Sequence, residues 1–136
     1  MNNEINIFVI LGIRCLLIAQ DFSSPSALPS IIKDLESRQL DIGVLVNNVG
    51  LMGPHWMPFL ELEEQMVRDI INVNVTAGTG LIHALLPDMI RKGRGAIINI
   101  SSTCSAFPVP YLATYAATKH FIAAFTKAIT AEYQDR

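Results

Sequence analysis

Tyr115 and Lys119 stand four residues apart, Ser102 precedes the tyrosine by thirteen, and Asn74 lies further upstream. In a helix, a spacing of four places the phenol and the ammonium on one face, where the cation favours phenolate over phenol. A tyrosine ordinarily titrates near pH ~10. A unit charge at roughly 4 Å, with an effective dielectric of about 20, is worth about 4 kcal/mol. Even a fraction of that brings the hydroxyl towards a working acid/base range. Together the four side chains describe a site that moves a proton while a hydride is transferred. A tyrosine and a lysine at helical spacing are also what a packed ring and a solvated amine look like, so the pair takes its meaning from the elements around it.

Those elements alternate. Ala96-Ile97-Ile98-Asn99-Ile100-Ser101-Ser102 reads as a buried strand of β-branched residues ending in hydroxyls. Ligands of open parallel sheets bind at the carboxyl ends of strands, which puts Ser102 where a substrate carbonyl can receive a hydrogen bond. Small residues flank the pair, Ala113, Thr114, Ala116, Ala117 and Thr118, and let a ligand approach the backbone. Upstream, a helix is expected over about 26–38 and a strand over 43–49. A loop with Gly53, Pro54, His55, Trp56 and Pro58 then leads to a long helix over about 63–91 that carries Asn74, with Pro87 near its end. In the last helix Phe121, Ile122, Phe125, Ala128 and Ile129 recur at helical spacing and read as mainly core. The alternation defines an α/β chain.

Composition narrows the function classes. Of 136 residues 51% are hydrophobic and 16% charged, and the mean hydropathy is +0.38. Such values suit the buried parallel-sheet part of an α/β enzyme. A net charge of −2 gives no case for nucleic acid or an anionic membrane as partner. Arg91, Lys92 and Arg94 beside Gly93 and Gly95 read as a cationic helix end followed by a turn. Cys15 and Cys104 lack paired spacing and are expected as free thiols, and His55, His83 and His120 lack metal-ligand spacing, so no metal is assigned. Residues 5–20 are apolar, but Arg14 interrupts them and Asn2, Asn3 and Glu4 are the wrong flank for a targeting segment. The stretch is also short of the ~20 apolar residues of a membrane span; its second half is expected as strand, and no membrane segment is expected in this chain.

From about Leu17 to the C-terminus the sequence resembles the short-chain dehydrogenase/reductase family. Asn47-Asn48-Val49-Gly50, after the apolar run Gly43-Val44-Leu45-Val46, is similar to the family's Asn-Asn-Ala-Gly signature; Val73-Asn74-Val75, Ser102, and Tyr115 with Lys119 match its other motifs in order. The resemblance implies that Tyr115 is the general acid or base, that Lys119 binds the nicotinamide ribose and lowers the tyrosine pKa, that Ser102 orients the substrate carbonyl, and that Asn74 anchors a water behind Lys119. It implies cofactor contacts for Asn48 and Gly50 on the adenosine side of the cleft and for Asp21 at adenine. From the residues alone, Asn48 to Gly50 is equally a tight strand-to-loop turn, and Asp21 a helix cap or turn residue.

Within the family the likeness is to the 17β-hydroxysteroid dehydrogenase and very-long-chain 3-oxoacyl-CoA reductase branch, carried by Val49, by Asp41-Ile42-Gly43-Val44-Leu45-Val46 and by Phe107-Pro108-Val109-Pro110. That implies NADP(H), with NAD(H) not excluded, a steroid or long-chain acyl substrate, the endoplasmic reticulum, and homo- or heterodimers through the helices at 63–91 and 111–135. The family's glycine-rich pyrophosphate turn has no match: Gly12 stands alone, and Gly78 and Gly80 fall inside the long helix.

The expectation is therefore a partial Rossmann-like doubly wound parallel sheet lacking the first two and the last strands. Residues 1–136 form a single incomplete dinucleotide-binding and catalytic domain, with 1–13 atypical. In the family order 3-2-1-4-5-6-7, strands at 14–21 and 43–49 are not neighbours, although the run Ile5 to Leu11 can stand in for a lost strand. Weak or no NADPH binding is expected of this chain as it stands, with activity in a longer form. The alternative is a non-catalytic product that dimerises with a full-length relative.

Overall fold

The computed structural model describes the backbone of residues 7–10 and residues 12–134. Its strands are β1 (Ile7–Ile10), β2 (Ile13–Leu16), β3 (Val44–Asn47) and β4 (Ala96–Asn99), and its helices α1 (Ala27–Ser37), α2 (Glu64–Ile71), α3 (Ala77–Lys92) and α4 (Ala113–Tyr133). β3 and β4 pair in parallel, Val44 opposite Ala96 and Asn47 opposite Asn99. The ladder is extended by Ala96 N–H to the Gly43 carbonyl at 3.0 Å and by Ile100 N–H to the Asn47 carbonyl at 2.9 Å. A parallel pair needs a crossover, and α2 with α3 supplies it.

The period-2 alternation of strands sorts this pair into two faces. Leu45, Asn47, Ile97 and Asn99 are half-buried, while Val44 (57% exposed), Val46 (52%) and Ile98 (48%) lie open. α3 and α4 pack on β4, α1 packs on α3, and α2 on α4. The fold is thus the helix-covered side of a parallel sheet. Such sheets ordinarily bury both faces.

The N-terminal expectation needs correction. Strand β2 is Ile13–Leu16 rather than 14–21, with Ile7 opposite Leu16 as its last described pair. The apolar run at the N-terminus folds back on β2 as an antiparallel hairpin through Gly12, whose φ of 78° a glycine adopts without strain. It gives β2 a partner but does not bridge to β3, so the two sheets stay separate. Ile5, Asn6 and Leu11, and the rest of the segment before Ile7, lie outside the described residues.

The long central helix is present and has an interruption the sequence did not reveal. Between α2 and α3, residues Asn72–Thr76 widen into a π-turn. Gly78 and Gly80 serve packing, not a ligand: a Cβ on Gly78 would stand 3.4 Å from Asn47 Cγ, and one on Gly80 2.2 Å from Leu28 Cδ2. From Glu64 to Lys92 the rod is 29 residues long and apolar enough to span a membrane. One side of it, with Ile70, Val73, Ala77, Ile82 and Met89, is buried within the domain. As expected, it ends in a cationic turn: Gly93 at φ 62° caps it, with its N–H on the Ile90 carbonyl at 3.0 Å. Lys92 meets Asp41 at 2.7 Å.

In α4 the buried side is Ala116, Thr118, Lys119 and Ile122. Ala128 is exposed, and Phe121, 43% exposed, stacks on Phe125 with centroids 5.7 Å apart. The second half of the helix is therefore less of a core element than its spacing suggests. It borders a groove of about 570 Å³ with Leu28, Ile82, Leu86 and Ile90.

A Cβ on Gly95, the residue before β4, would lie 2.7 Å from both Cβ and Cγ of Met89, itself 5% exposed. Overpacking of this kind costs about 1–3 kcal/mol. Gly95→Ala is expected to lower the urea midpoint accordingly, and an unchanged midpoint would contradict the packing described.

Candidate active site

Asn74 sits in the π-turn and is 5% exposed. Its Oδ1 accepts the Leu51 N–H at 2.7 Å, and its Nδ2 donates to the Leu51 carbonyl at 2.8 Å and to Thr118 Oγ1 at 3.0 Å. A π-turn adds one residue to the helical repeat, and such turns concentrate at functional sites. Here it presents Asn74 to the loop that leaves β3, so the stretch after Asn47-Asn48 is tied to the helix layer by one carboxamide.

Lys119, on α4, is also 5% exposed. Its Nζ donates to the Ile100 carbonyl at 2.9 Å, where the chain leaves β4, and lies 5.7 Å from the centroid of the Tyr115 ring. The spacing of four thus works as expected: ammonium and phenol ring share a side of the helix, within cation–π reach. Burial disfavours the charged form and lowers the Lys119 pKa from its ordinary 10.5. Ser101 Oγ donates to the Lys119 backbone carbonyl at 3.2 Å, a second tie between the end of β4 and α4.

The expected buried strand over 96–102 is shorter and open on one face: β4 ends at Asn99, Ile98 and Ile100 are exposed, and Ser102 follows three residues after the strand end. Its Oγ accepts the Cys104 N–H at 3.2 Å, and its backbone carbonyl accepts from Ser105 Oγ at 2.6 Å, in a short 3₁₀ turn (Thr103–Ser105) that packs on α4. The bond to Oγ leaves the hydroxyl proton available to a ligand. Gly50 lines the same site: a Cβ there would stand 3.6 Å from Lys119 Nζ and 3.7 Å from Asn74 Oδ1. The loop after β3, the π-turn and the first turns of α4 thus converge, bringing together Gly50, Asn74, Tyr115 and Lys119, while Ser102 lies in the 3₁₀ turn that packs on α4.

The other expected positions stand apart from that cluster of contacts. Asn48 is exposed between Asn47 and Gly50. Asp21 is exposed, and its Oδ1 accepts the Ser23 N–H at 3.0 Å and the Ser23 O–H at 2.8 Å, bonds that lower its pKa. It is a turn residue ahead of α1. Cys15 and Cys104 are free thiols, both half-buried. His120 Nδ1 lies 2.9 Å from the Ala116 carbonyl, a bond within its own helix.

The sequence reading left three contributions unassigned: the role of Thr118, the link between Asn47 and Asn99, and the Ile100 carbonyl. Thr118, taken as one of several small flanking residues, is buried and bonded to Asn74. Asn47 Nδ2 donates to Asn99 Oδ1 at 2.8 Å, and Asn99 Nδ2 donates to Thr126 Oγ1 at 3.0 Å, a polar ladder that joins β3, β4 and α4 below the site. The signal was an asparagine in each of two otherwise apolar strands, both next to the strand end. Backbone carbonyls such as that of Ile100 leave no trace in sequence.

The residues fit a nicotinamide cofactor: a glycine whose missing Cβ leaves room beside a buried ammonium that lies 5.7 Å from the centre of a tyrosine ring. Among the described residues no strand, glycine-rich turn and helix follow one another to hold a pyrophosphate.

The short chain dehydrogenase family matches residues 6–136, and the chain belongs to that family of oxidoreductases. It is 38% identical over 120 residues to the human inactive hydroxysteroid dehydrogenase-like protein 1, covering 88% of this chain and 36% of that protein. Against the very-long-chain 3-oxoacyl-CoA reductase-A of Danio rerio the identity is 40% over 119 residues, with 86% and 37% covered. Against the 17-beta-hydroxysteroid dehydrogenase type 3 of the same species it is 38% over 126 residues, with 90% and 40% covered. The chain therefore spans well under half the length of these relatives. Among solved structures it is similar to 4-hydroxyisoleucine dehydrogenase complexed with NADH (TM-score 0.76, 27% identical, 85% of this chain and 50% of that one). It is also similar to a short-chain dehydrogenase from Sphingobium yanoikuyae in complex with NADPH (TM-score 0.75, 30% identical, 84% and 44%). A nicotinamide cofactor is common to both, and the choice between NAD and NADP is not.

Replacing Asn74 by the near-isosteric Leu would strip partners from the Leu51 N–H and carbonyl. A buried polar group left unpaired costs about 1–3 kcal/mol. Asn74→Leu is expected to destabilise the fold by about 2–3 kcal/mol in urea unfolding, with the Leu51 amide losing hydrogen-exchange protection first. Wild-type protection at Leu51 would show that the carboxamide does not hold this loop.

Proposed function

We propose that this chain carries the proton-handling half of an NADP(H)-dependent oxidoreductase that reduces a ketone or oxidises a secondary alcohol on a steroid or long-chain acyl substrate. The observation that carries the reading is the buried Lys119 ammonium beneath the Tyr115 ring, with Gly50 and Asn74 closing the site behind it. When bound, the nicotinamide supplies or accepts the hydride. In the reducing direction Tyr115 gives its proton to the carbonyl oxygen, Ser102 donates a hydrogen bond to the same oxygen, and the positive charge of Lys119 stabilises the phenolate left behind. Lys119 would lie along the nicotinamide ribose, with Asn48 and Gly50 on the adenosine side of the cleft and Asp21 at the adenine. In the oxidising direction the same groups act in reverse.

The steroid or acyl assignment draws on the two Danio rerio relatives, whose names give those substrates, and on the apolar stretch Phe107 to Leu112 ahead of Tyr115. NAD(H) is the alternative cofactor. Activity belongs to a form with the rest of the relatives' length, in which the open face bearing Val44, Val46 and Ile98 is covered. Residence in the endoplasmic reticulum, and pairing of chains through α2, α3 and α4, complete the reading. A second reading, a non-catalytic partner of a full-length relative, is favoured by the 38% identity to a protein named inactive.

Changing Tyr115 to Phe in the full-length protein separates the two. Turnover of a ketosteroid or 3-oxoacyl substrate with NADPH is expected to fall by about 10²–10⁴-fold, while the NADPH dissociation constant changes by less than about threefold. Turnover that survives the change removes Tyr115 from its role. A wild-type protein inert towards both substrates and both cofactors supports the non-catalytic reading.

A further inference from the structure

Between Tyr115 and Lys119 the chain buries a hydroxyl for which that chemistry has no direct use. Thr118 is 4% exposed. Its Oγ1 donates to the Tyr115 carbonyl at 2.7 Å and accepts from Asn74 Nδ2 at 3.0 Å. The direction of these bonds is fixed by inventory. An amide nitrogen only donates, so the single hydroxyl proton goes to the carbonyl. The same carboxamide holds Leu51 by both N–H and carbonyl, so a flipped Asn74 would set oxygen against oxygen there. One threonine therefore connects the turn of α4 that carries Tyr115 to the π-turn and, through Asn74, to the loop after Gly50.

We propose that Thr118 is a positioning residue for the reaction: its hydroxyl holds the Asn74 carboxamide at a fixed station against the Tyr115–Lys119 turn. This rests on the function proposed above. Gly50, in the loop that Asn74 holds at Leu51, borders the Lys119 ammonium, and the Tyr115 ring centre lies 5.7 Å from that ammonium. Without the hydroxyl, one Asn74 N–H loses its acceptor inside the protein, and the carboxamide settles for the Leu51 bonds alone. The β3 loop and π-turn then move as one body relative to α4. Proton transfer suffers, because it depends on how that loop seats the substrate and cofactor against α4, whereas Lys119, carried by α4 with Tyr115, keeps its own contact and its bond to Ile100, so binding changes far less than turnover. The methyl group of Thr118 has no part in this, so serine serves as well as threonine.

The test compares Thr118→Val, which keeps the shape and removes the hydroxyl, with Thr118→Ser in the full-length protein. For valine, kcat is expected to fall about tenfold or more, equivalent to about 1.4 kcal/mol, with the acid/base limb of the pH–kcat profile displaced and KM and the NADPH dissociation constant within about twofold. Serine is expected to restore both kcat and the profile. In ¹⁵N spectra of each variant, the Asn74 side-chain amide should shift and the Leu51 amide lose protection with valine but not with serine. A valine variant with wild-type kcat and profile overturns the proposal, and so does a serine variant as impaired as valine. Should valine prevent folding, Thr118→Ala removes the same hydroxyl without adding bulk and is held to the same readings. Should the wild type turn over nothing, the functional reading fails by itself. The amide spectra then decide: Asn74 and Leu51 unmoved by valine overturn the positioning link, and their loss with rescue by serine upholds it.

Discussion

A lysine ammonium taken out of water is the condition around which this fold is arranged. Burying a charge is costly unless it is hydrogen-bonded, and Lys119, 5% exposed, answers with the Ile100 carbonyl at 2.9 Å. That bond requires β4 to end where α4 begins its second turn, and Ser101 repeats the tie from its hydroxyl to the Lys119 carbonyl. Burial also means that the folded chain gives up the Lys119 proton more readily than the unfolded chain. Between the lowered pKa and the ordinary one, the unfolded state binds more protons, so Lys119 makes stability rise with pH across that window.

Everything else near the site supports the same placement. The parallel pair is wired across its width by Asn47, Asn99 and Thr126, so the two strand ends keep their register under the ligand-facing loops. The π-turn rotates Asn74 inward, and the carboxamide gathers the loop after Gly50. Gly78 and Gly80 let the long helix close on Asn47 and Leu28. Backbone shape, not added bulk, leaves the space beside the ammonium.

Much of this was legible in the sequence because the informative residues are local. Helices at 26–38 and 63–91 and strands at 43–49 and 96–101 were found to within a few residues, since their periodicity is strong and their ends carry turn chemistry. That Tyr115 and Lys119 share a side of α4 was legible because a helical spacing of four fixes side-chain direction, whereas the roles of Asn74 and Ser102 rested on the family resemblance. What was missed depends on partners far along the chain. The π-turn has no propensity signature. The pairing of the N-terminal run with β2 was a competition between edges that composition cannot decide. Phe121 and Ala128 followed the helical period yet are exposed, because the side of α4 that faces the sheet is taken by Ile122 and Thr126.

The most direct measurement is the titration of Lys119 Nζ in the folded protein, followed by ¹⁵N NMR of the side-chain amine and assigned with Lys119→Arg. A desolvated cation beneath the Tyr115 ring predicts a midpoint clearly below 10.5. A midpoint at or above that value would mean a solvated amine, and the proton-handling pair would lose its foundation.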